Sequence, residues 1–236
     1  MAFLVSEESA GEYEQVPVGT HNAVCYQLVD AGTSMEEYQG EEKKRHSVYI
    51  FWELPDLPMA DGRPMSISCQ YTLSLHESAK LRRHLQSWMN RAFTEEELKS
   101  FDMTQMLGTT CKLDVGLTSG GRAKVVGVFA ADGGSKKVET ANEQTVFDLE
   151  DYCLEYSGGS NDASKHACDV LEGLPRYIQW RIAGCDEPGR DPQPPCFEVQ
   201  AAMTKTQKST AKKKAAPKKD DSAPDDGAPF DDDIPF

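Results

Sequence analysis

The chain has 236 residues and a formal net charge of −14 at pH 7, which excludes binding of nucleic acid through a uniformly basic surface. It contains no run of about 18 apolar residues, so we expect no membrane-spanning helix. The first eight residues lack the basic and apolar stretches of a secretory signal, and the odd number of cysteines, seven, favours reduced thiols, so we expect a cytoplasmic protein.

The acidic charge is unevenly distributed along the chain. Residues 205–236 carry seven Lys and seven Asp, so the excess of acidic charge lies in the preceding 204 residues. Within residues 43–124, however, twelve Lys and Arg stand against nine Asp and Glu. Because phosphate binding needs only a local basic stripe, a nucleic-acid site is expected in this segment.

Three strands are predicted at the start of the folded part. Residues 20–30 are rich in β-forming side chains and predict the first strand, and the acidic, Gly-containing stretch 31–42 predicts a mobile loop. Residues 43–54 predict the second strand. Residues 65–75 alternate apolar and polar side chains and predict a third strand, which forms a hairpin with the second.

The second strand carries large apolar side chains on both faces. Val48, Ile50 and Trp52 lie on one face, and Tyr49 and Phe51 lie on the other. An ordinary half-buried strand alternates apolar and polar residues. The second aromatic face is therefore either available to a ligand or buried under another element, and both interpretations stay open at this point.

A helical segment separates these strands from two more. Residues 74–77 have the spacing of a capping box and predict a helix start, and residues 94–97 predict a second one. The apolar stripe of the first helix consists of Leu81, Leu85 and Trp88. Residues 110–117 and 123–131 predict two strands joined by a Gly-containing turn.

Three strands, a helix and two strands follow the element order of a five-stranded oligonucleotide/oligosaccharide-binding (OB) barrel. The predicted fold class is mainly β with added helices: an OB-fold barrel at residues 20–132, after an N-terminal arm at 1–19. Residues 133–203 predict a helical and loop extension packed on the barrel. Residues 204–236 predict a disordered Lys-rich tether and an acidic, protein-recruiting tail.

Two questions about the extension stay open. Helices predicted at 146–156 and 164–183 either cover an open barrel edge or contribute to a DNA clamp or subunit contact. The side chains for the second role are Arg176, Tyr177, Trp180 and Arg181. A zinc site would draw on Cys153, His166, Cys168, Cys185 and Cys196. No Cys-x-x-Cys pair is present, so we expect no metal or other cofactor.

The last six residues are Asp231, Asp232, Asp233, Ile234, Pro235 and Phe236. Three adjacent carboxylates followed by an apolar tip predict a hook for a partner with an apolar pocket and a basic rim. These residues resemble the C-terminal tip of bacterial single-stranded DNA-binding proteins. Together with the barrel pattern, the chain resembles a bacteriophage single-stranded DNA-binding protein of the OB-fold type.

That resemblance implies sequence-independent binding and protection of single-stranded DNA during phage DNA replication, recombination and repair, in the cytoplasm of a bacterial host. It also implies recruitment of a polymerase, helicase or nuclease through the tip, by a monomer or homodimer. A strand-annealing protein or recombination mediator, and an OB-fold adaptor that binds protein, stay open as alternatives. No enzyme is expected, because the chain has no phosphate-binding loop, His-Glu-x-x-His motif or nucleophile elbow.

Single strands are held without sequence preference by cations along the phosphates and by aromatic rings on which bases stack. The candidate stacking residues are Tyr49, Phe51 and Trp52. The candidate phosphate partners flank the second strand or lie on the hairpins at the rim of a groove. They are Lys43, Lys44, Arg45, Arg63, Lys112, Arg122 and Lys124.

Overall fold

A computed structural model describes residues 14–38, 41–183 and 196–203. These residues form a mainly β structure with several helices. The strands are β1 (Gly19–Tyr38), β2 (Glu41–Pro58), β3 (Pro64–Thr72), β4 (Thr110–Leu117), β5 (Ala123–Ala130) and β6 (Thr145–Phe147). The helices are α1 (Lys80–Met89), α2 (Glu95–Lys99), α3 (Leu149–Ser157), α4 (Asp162–Gly173) and α5 (Arg176–Ala183), and residues 197–203 are also helical. No described helix is long and apolar enough to cross a membrane.

One sheet contains all six strands and is open within the described residues. β1 to β5 are antiparallel in the order β3-β2-β1-β4-β5, and β6 pairs in parallel with β1. The length of β1 allows this arrangement, because its first residues pair with β4 and its remainder pairs with β2. The two ends of the sheet, β3 and β5, contact each other, and α1 packs against both.

An inner core lies between the sheet and α1 and includes Trp52, Leu85, Trp88 and Leu113. The ring centroids of Trp52 and Trp88 are 5.9 Å apart. The Trp88 indole also donates a hydrogen bond to the Thr110 carbonyl at 2.9 Å, so its one polar atom is satisfied inside the core. The predicted apolar stripe of α1 is confirmed, because Leu81, Leu85 and Trp88 are all buried.

An outer core lies on the opposite face of β1 and β2 and includes Tyr49, Phe51, Phe147, Ile178 and Val199. The helices α3, α4 and α5 and the helical residues 197–203 supply its other side. β2 is therefore buried on both faces. Of the two interpretations that the sequence leaves open for the second aromatic face, the structure shows burial under another element.

The β1–β2 hairpin extends further than the sequence predicts. The predicted loop at residues 31–42 is wrong for residues 31–38, which continue β1, and for residues 41–42, which begin β2. Two register shifts interrupt the pairing of β1 with β2, and Gly32 adopts a φ of +68° at the second of them. Acidic side chains do not prevent the pairing, because Glu36 forms an ion pair with Arg45 at 2.9 Å.

The two predicted capping boxes have different outcomes. α1 begins without a side-chain cap, so the box predicted at residues 74–77 is wrong. The Ser74 hydroxyl instead accepts a hydrogen bond from the His76 amide at 3.2 Å in the turn before the helix. The second box is confirmed: the Thr94 hydroxyl accepts from the Glu97 amide, and the Glu97 carboxylate accepts from the Thr94 amide.

The C-terminal region begins with a strand that the sequence does not predict. A helix is expected from residue 146, but β6 occupies that place and α3 starts at Leu149. The Asp148 carboxylate caps α3 by accepting from the amides of Glu150 and Asp151. The helix predicted at 164–183 is present as α4 and α5, interrupted near Pro175 as expected.

Several predicted segments lie outside the described residues. They are most of the N-terminal arm, most of the Pro-rich loop between Asp186 and Cys196, the tether, and the whole acidic tail from Asp231 to Phe236.

Truncation of a ring in the outer core should cost much of the stability. Phe51 is 6% exposed, so Phe51→Ala should lower the free energy of unfolding, measured by urea denaturation, by about 3 to 5 kcal/mol through lost burial and a residual cavity. Phe129→Ala is the matched control, because the same atoms are removed from a side chain that is 48% exposed. Similar losses for the two variants would contradict the burial of Phe51.

Candidate nucleic-acid interface

The three predicted stacking residues are inaccessible. Tyr49 is 2% exposed, Phe51 is 6% exposed and Trp52 is fully buried. The Tyr49 hydroxyl donates to the Gln70 side-chain carbonyl at 3.1 Å, and burial raises the pKa of Tyr49 well above its usual value. No base can stack on these rings in this conformation. Helices of the outer core cover Tyr49 and Phe51, whereas Trp52 points into the inner core, so none of the three rings lies where a base could reach it.

The cations that open β2 lie in the hairpin arm formed by residues 33–38 and 41–46. Lys43 and Arg45 form ion pairs with glutamates of the same arm at 2.8 and 2.9 Å. The Lys44 ammonium lies 4.9 Å from the centroid of the Phe197 ring. These three side chains therefore balance acids of the arm or contact the helical region, and they form no separate basic surface.

Polar contacts attach this arm to the helices. The Arg181 guanidinium binds Glu36 and donates to the hydroxyls of Ser34 and Ser47 at 3.0 and 3.1 Å. Glu198 accepts from the amide and the hydroxyl of Thr33 at 2.8 and 2.6 Å. Arg181 therefore helps to attach α5 to the arm, which is consistent with the helices covering the sheet.

Arg63 lies at the turn between β2 and β3, away from the arm. Its guanidinium forms an ion pair with the Asp61 carboxylate at 2.6 Å and lowers the pKa of that carboxyl. The pair is exposed and locally neutral. The structure therefore places Arg63 apart from the other predicted phosphate partners.

Three of the predicted phosphate partners share one hairpin. Lys112 and Lys124 lie on the outer face of β4 and β5, because their neighbours in sequence point into the inner core, and Arg122 lies in the connecting turn. Lys112 forms an ion pair with Asp132 at 2.7 Å. Lys124 is exposed, and no described carboxylate lies within ion-pair distance of its ammonium.

A groove of about 310 Å³, which the sequence patterns above do not predict, runs between α1 and β5. None of its lining residues is acidic, and two are permanently cationic. They are Lys80, Arg83, His84 and Ser87 of α1, and Val126, Gly127, Val128 and Phe129 of β5. The sequence signal that could have predicted this groove is the spacing of residues 80, 83, 84 and 87, which places them on one face of a helix.

A bulge in β5 explains why apolar side chains face this groove. The register of β4 and β5 shifts between Asp114 and Val115, which leaves one extra residue in β5. Val126 is the extra residue and is 50% exposed, and beyond it Phe129 is 48% exposed instead of pointing into the inner core. Gly127 provides room for the Phe129 ring, because a Cβ at position 127 would lie 2.7 Å from Phe129 Cε2.

The charge of the groove at neutral pH comes from Lys80 and Arg83. The Lys80 ammonium donates to the Val125 carbonyl at 3.4 Å, whereas no described carboxylate lies within ion-pair distance of Arg83. His84 is bound to the Tyr71 hydroxyl at 2.9 Å. Burial, together with the adjacent Lys80 and Arg83, lowers the pKa of His84 to about 4, so this imidazole is neutral.

The described residues contain no group of three or more His, Cys, Asp or Glu side chains arranged to hold a metal ion. Burial raises the pKa of Cys153 to about 11 and that of Cys196 to about 12, so both thiols are protonated at neutral pH. A thiol in that state is a poor metal ligand. Cys185 lies outside the described residues.

No protein-family model and no curated protein sequence matches this chain.

Acidification should destabilise the protein through His84. Its pKa is about 4 in the folded protein and near 6.5 in the unfolded chain, so the unfolded chain binds a proton more readily between these values. The stability from the neutral imidazole is present above the higher value and is lost as the pH falls through the lower one. His84→Gln should therefore flatten the fall in urea midpoint on acidification.

His46 provides a control of opposite sign, because its hydrogen bond to Asp30 raises its pKa. The stability from this pair is present below the unfolded pKa and is lost as the pH rises through the folded pKa. His46→Gln should therefore steepen the fall in midpoint on acidification. Identical pH profiles for wild type and His84→Gln would contradict the assignment of a neutral His84.

Proposed function

We propose that this protein binds single-stranded DNA without sequence preference, through the outer face of β4 and β5 and the adjoining groove beside α1. The observation that carries the proposal is a set of cations gathered on one surface next to an exposed aromatic ring, Phe129. Such a surface offers partners to both phosphates and bases. The cations are Lys80, Arg83, Lys112, Arg122 and Lys124.

We also infer that the sheet is an OB-type barrel whose closing contact lies between β3 and β5. The strand order β3-β2-β1-β4-β5, the contact between the two end strands, and a helix between β3 and β4 along the chain all support this inference. OB folds commonly bind their ligands around strands 2 and 3. Here helices cover the outer face of β2, which favours a DNA path over β4 and β5 instead.

The wider role proposed is protection of single strands during phage replication, recombination and repair in the bacterial cytoplasm, by a monomer or homodimer. Its support is the sequence of the tip, Asp231 to Phe236, which suits a partner with an apolar pocket and basic rim. The partner proposed is a polymerase, helicase or nuclease.

Binding to labelled oligo-dT, followed by fluorescence anisotropy, should weaken as salt rises. The logarithm of the association constant should fall by about 0.7 per contacted phosphate for each tenfold increase in salt. Lys124→Ala should weaken binding and reduce that slope by about 0.7, because it removes one phosphate contact. The control is Lys43→Ala, which removes an exposed lysine already paired with Glu41 and should change neither quantity.

Two results of this assay would contradict the proposal. One is the absence of binding at low salt, and the other is equal or stronger binding to duplex DNA. Failure to bind nucleic acid would favour the protein-binding adaptor, which suits the net charge of −14.

Removal of residues 231–236 should abolish binding to a replication partner. If the acidic tip competes with DNA for the basic surface, the deletion should also strengthen binding to oligo-dT. The triple change of Asp231, Asp232 and Asp233 to Asn separates the two effects, because it removes the charges and keeps the apolar tip. Weaker DNA binding after deletion would contradict competition by the tip.

A further inference from the structure

We propose that the groove between α1 and β5 binds one nucleobase of the single strand, stacked on the Phe129 ring, with Lys80 and Arg83 beside the neighbouring phosphates. This inference rests on the proposed function and gives it a specific subsite. The groove is distinct from the face of β2 and β3 that OB folds commonly use, and it contains none of the aromatic residues that the sequence nominated.

The position of the Phe129 ring suits a stacking platform. The ring leans over Gly127, where a Cβ would lie 2.7 Å from Cε2 and 2.9 Å from Cζ. Only glycine leaves this space, so the ring can lie against β5 while 48% of the residue stays exposed. An aromatic side chain held against a strand loses little further conformational entropy when a base stacks on it.

The surroundings of the ring suit a polyanion that carries flat bases. Arg83 and Lys80 line the groove on one side of Phe129. On the other side, its cross-strand partner Lys112 is paired with Asp132 at 2.7 Å. Two cations beside an exposed ring match the neighbouring phosphates and bases of a single strand. An acidic peptide could satisfy the cations, but it would supply no base for the ring.

The neutral side chains of the groove shape it without adding charge. His84 is uncharged at neutral pH, and its Nδ1 is bound to the Tyr71 hydroxyl, so it contributes shape rather than a salt-dependent contact. Val126, which is 50% exposed, extends the apolar floor beside the ring. Because every base has a π-face, such a site accepts all four bases.

The test compares two changes at position 129 in the full-length chain on two probes, oligo-dT and an abasic strand of the same length. Phe129→Leu keeps an apolar side chain but has no aromatic face, and it should weaken oligo-dT binding by about 5- to 150-fold, the range for loss of one stacked base. It should leave binding to the abasic strand unchanged, because that probe keeps the phosphates and lacks the bases.

Phe129→Trp keeps the platform and adds a spectroscopic signal. The chain has three tryptophans, and all are buried, at 0, 1 and 4% exposure, so the exposed emission of this variant comes from the introduced side chain. Oligo-dT should quench that emission, and the abasic strand should not. Leu73→Ala, which truncates a 45% exposed side chain outside the groove, is the control and should change neither affinity.

The outcomes separate this inference from the proposed function. If the wild-type protein does not bind oligo-dT, the proposed function itself is wrong. If wild type binds and Phe129→Leu binds equally well, or loses equal affinity for both probes, the stacking site is wrong while DNA binding stands. Quenching of the Phe129→Trp emission by a peptide of residues 231–236, with none by oligo-dT, would place the acidic tip in the groove and overturn the proposal.

Discussion

The burial of β2 on both faces constrains every other part of this structure. Trp52 packs into the inner core and Phe51 into the outer core, so residues 47–54 of β2 have no face left for a ligand. Exposing the outer core would return five or more large side chains to water, at about 1.5 to 3 kcal/mol each. That cost is comparable with the whole stability of a typical domain, so a ligand has to bind where the sheet is already open.

The arm of the β1–β2 hairpin shows why a cluster of cations in the sequence need not be a binding site. Its lysines and arginine face glutamates across and along the hairpin, and Arg181 adds a further cation from α5. These ion pairs within the arm therefore leave little net positive charge on its surface. On the outer face of β4 and β5, Lys124 lies opposite Gly116 and has no ion-pair partner among the described residues, although Asp114 lies on the same face two residues from Gly116.

Local patterns predicted the elements that depend on neighbours in sequence, such as the strand at 110–117 and the apolar stripe of α1. They failed where a distant partner decides the structure. β6 forms because Gln27 to Val29 offers it an edge, and Tyr49 and Phe51 are buried because α5 packs over them. The groove was not predicted for a similar reason. A single bulge next to Gly127 moves the later residues of β5 to the opposite face of the sheet, and no sequence periodicity indicates that bulge.

The limited number of cations determines how such a surface would hold DNA. Of its five cations, Lys112 already pairs with Asp132 and Arg122 also has a partner, so about three remain for phosphates. Binding through three phosphate contacts weakens roughly 20-fold between about 50 and 200 mM salt, whereas binding of a more basic protein through ten contacts weakens far more. Stacking on Phe129 is independent of salt to first order. In a protein with an acidic body, one stacking ring therefore supplies a larger share of the binding free energy than it would in a basic protein. Repulsion from the acidic remainder of the surface also confines the strand to this site.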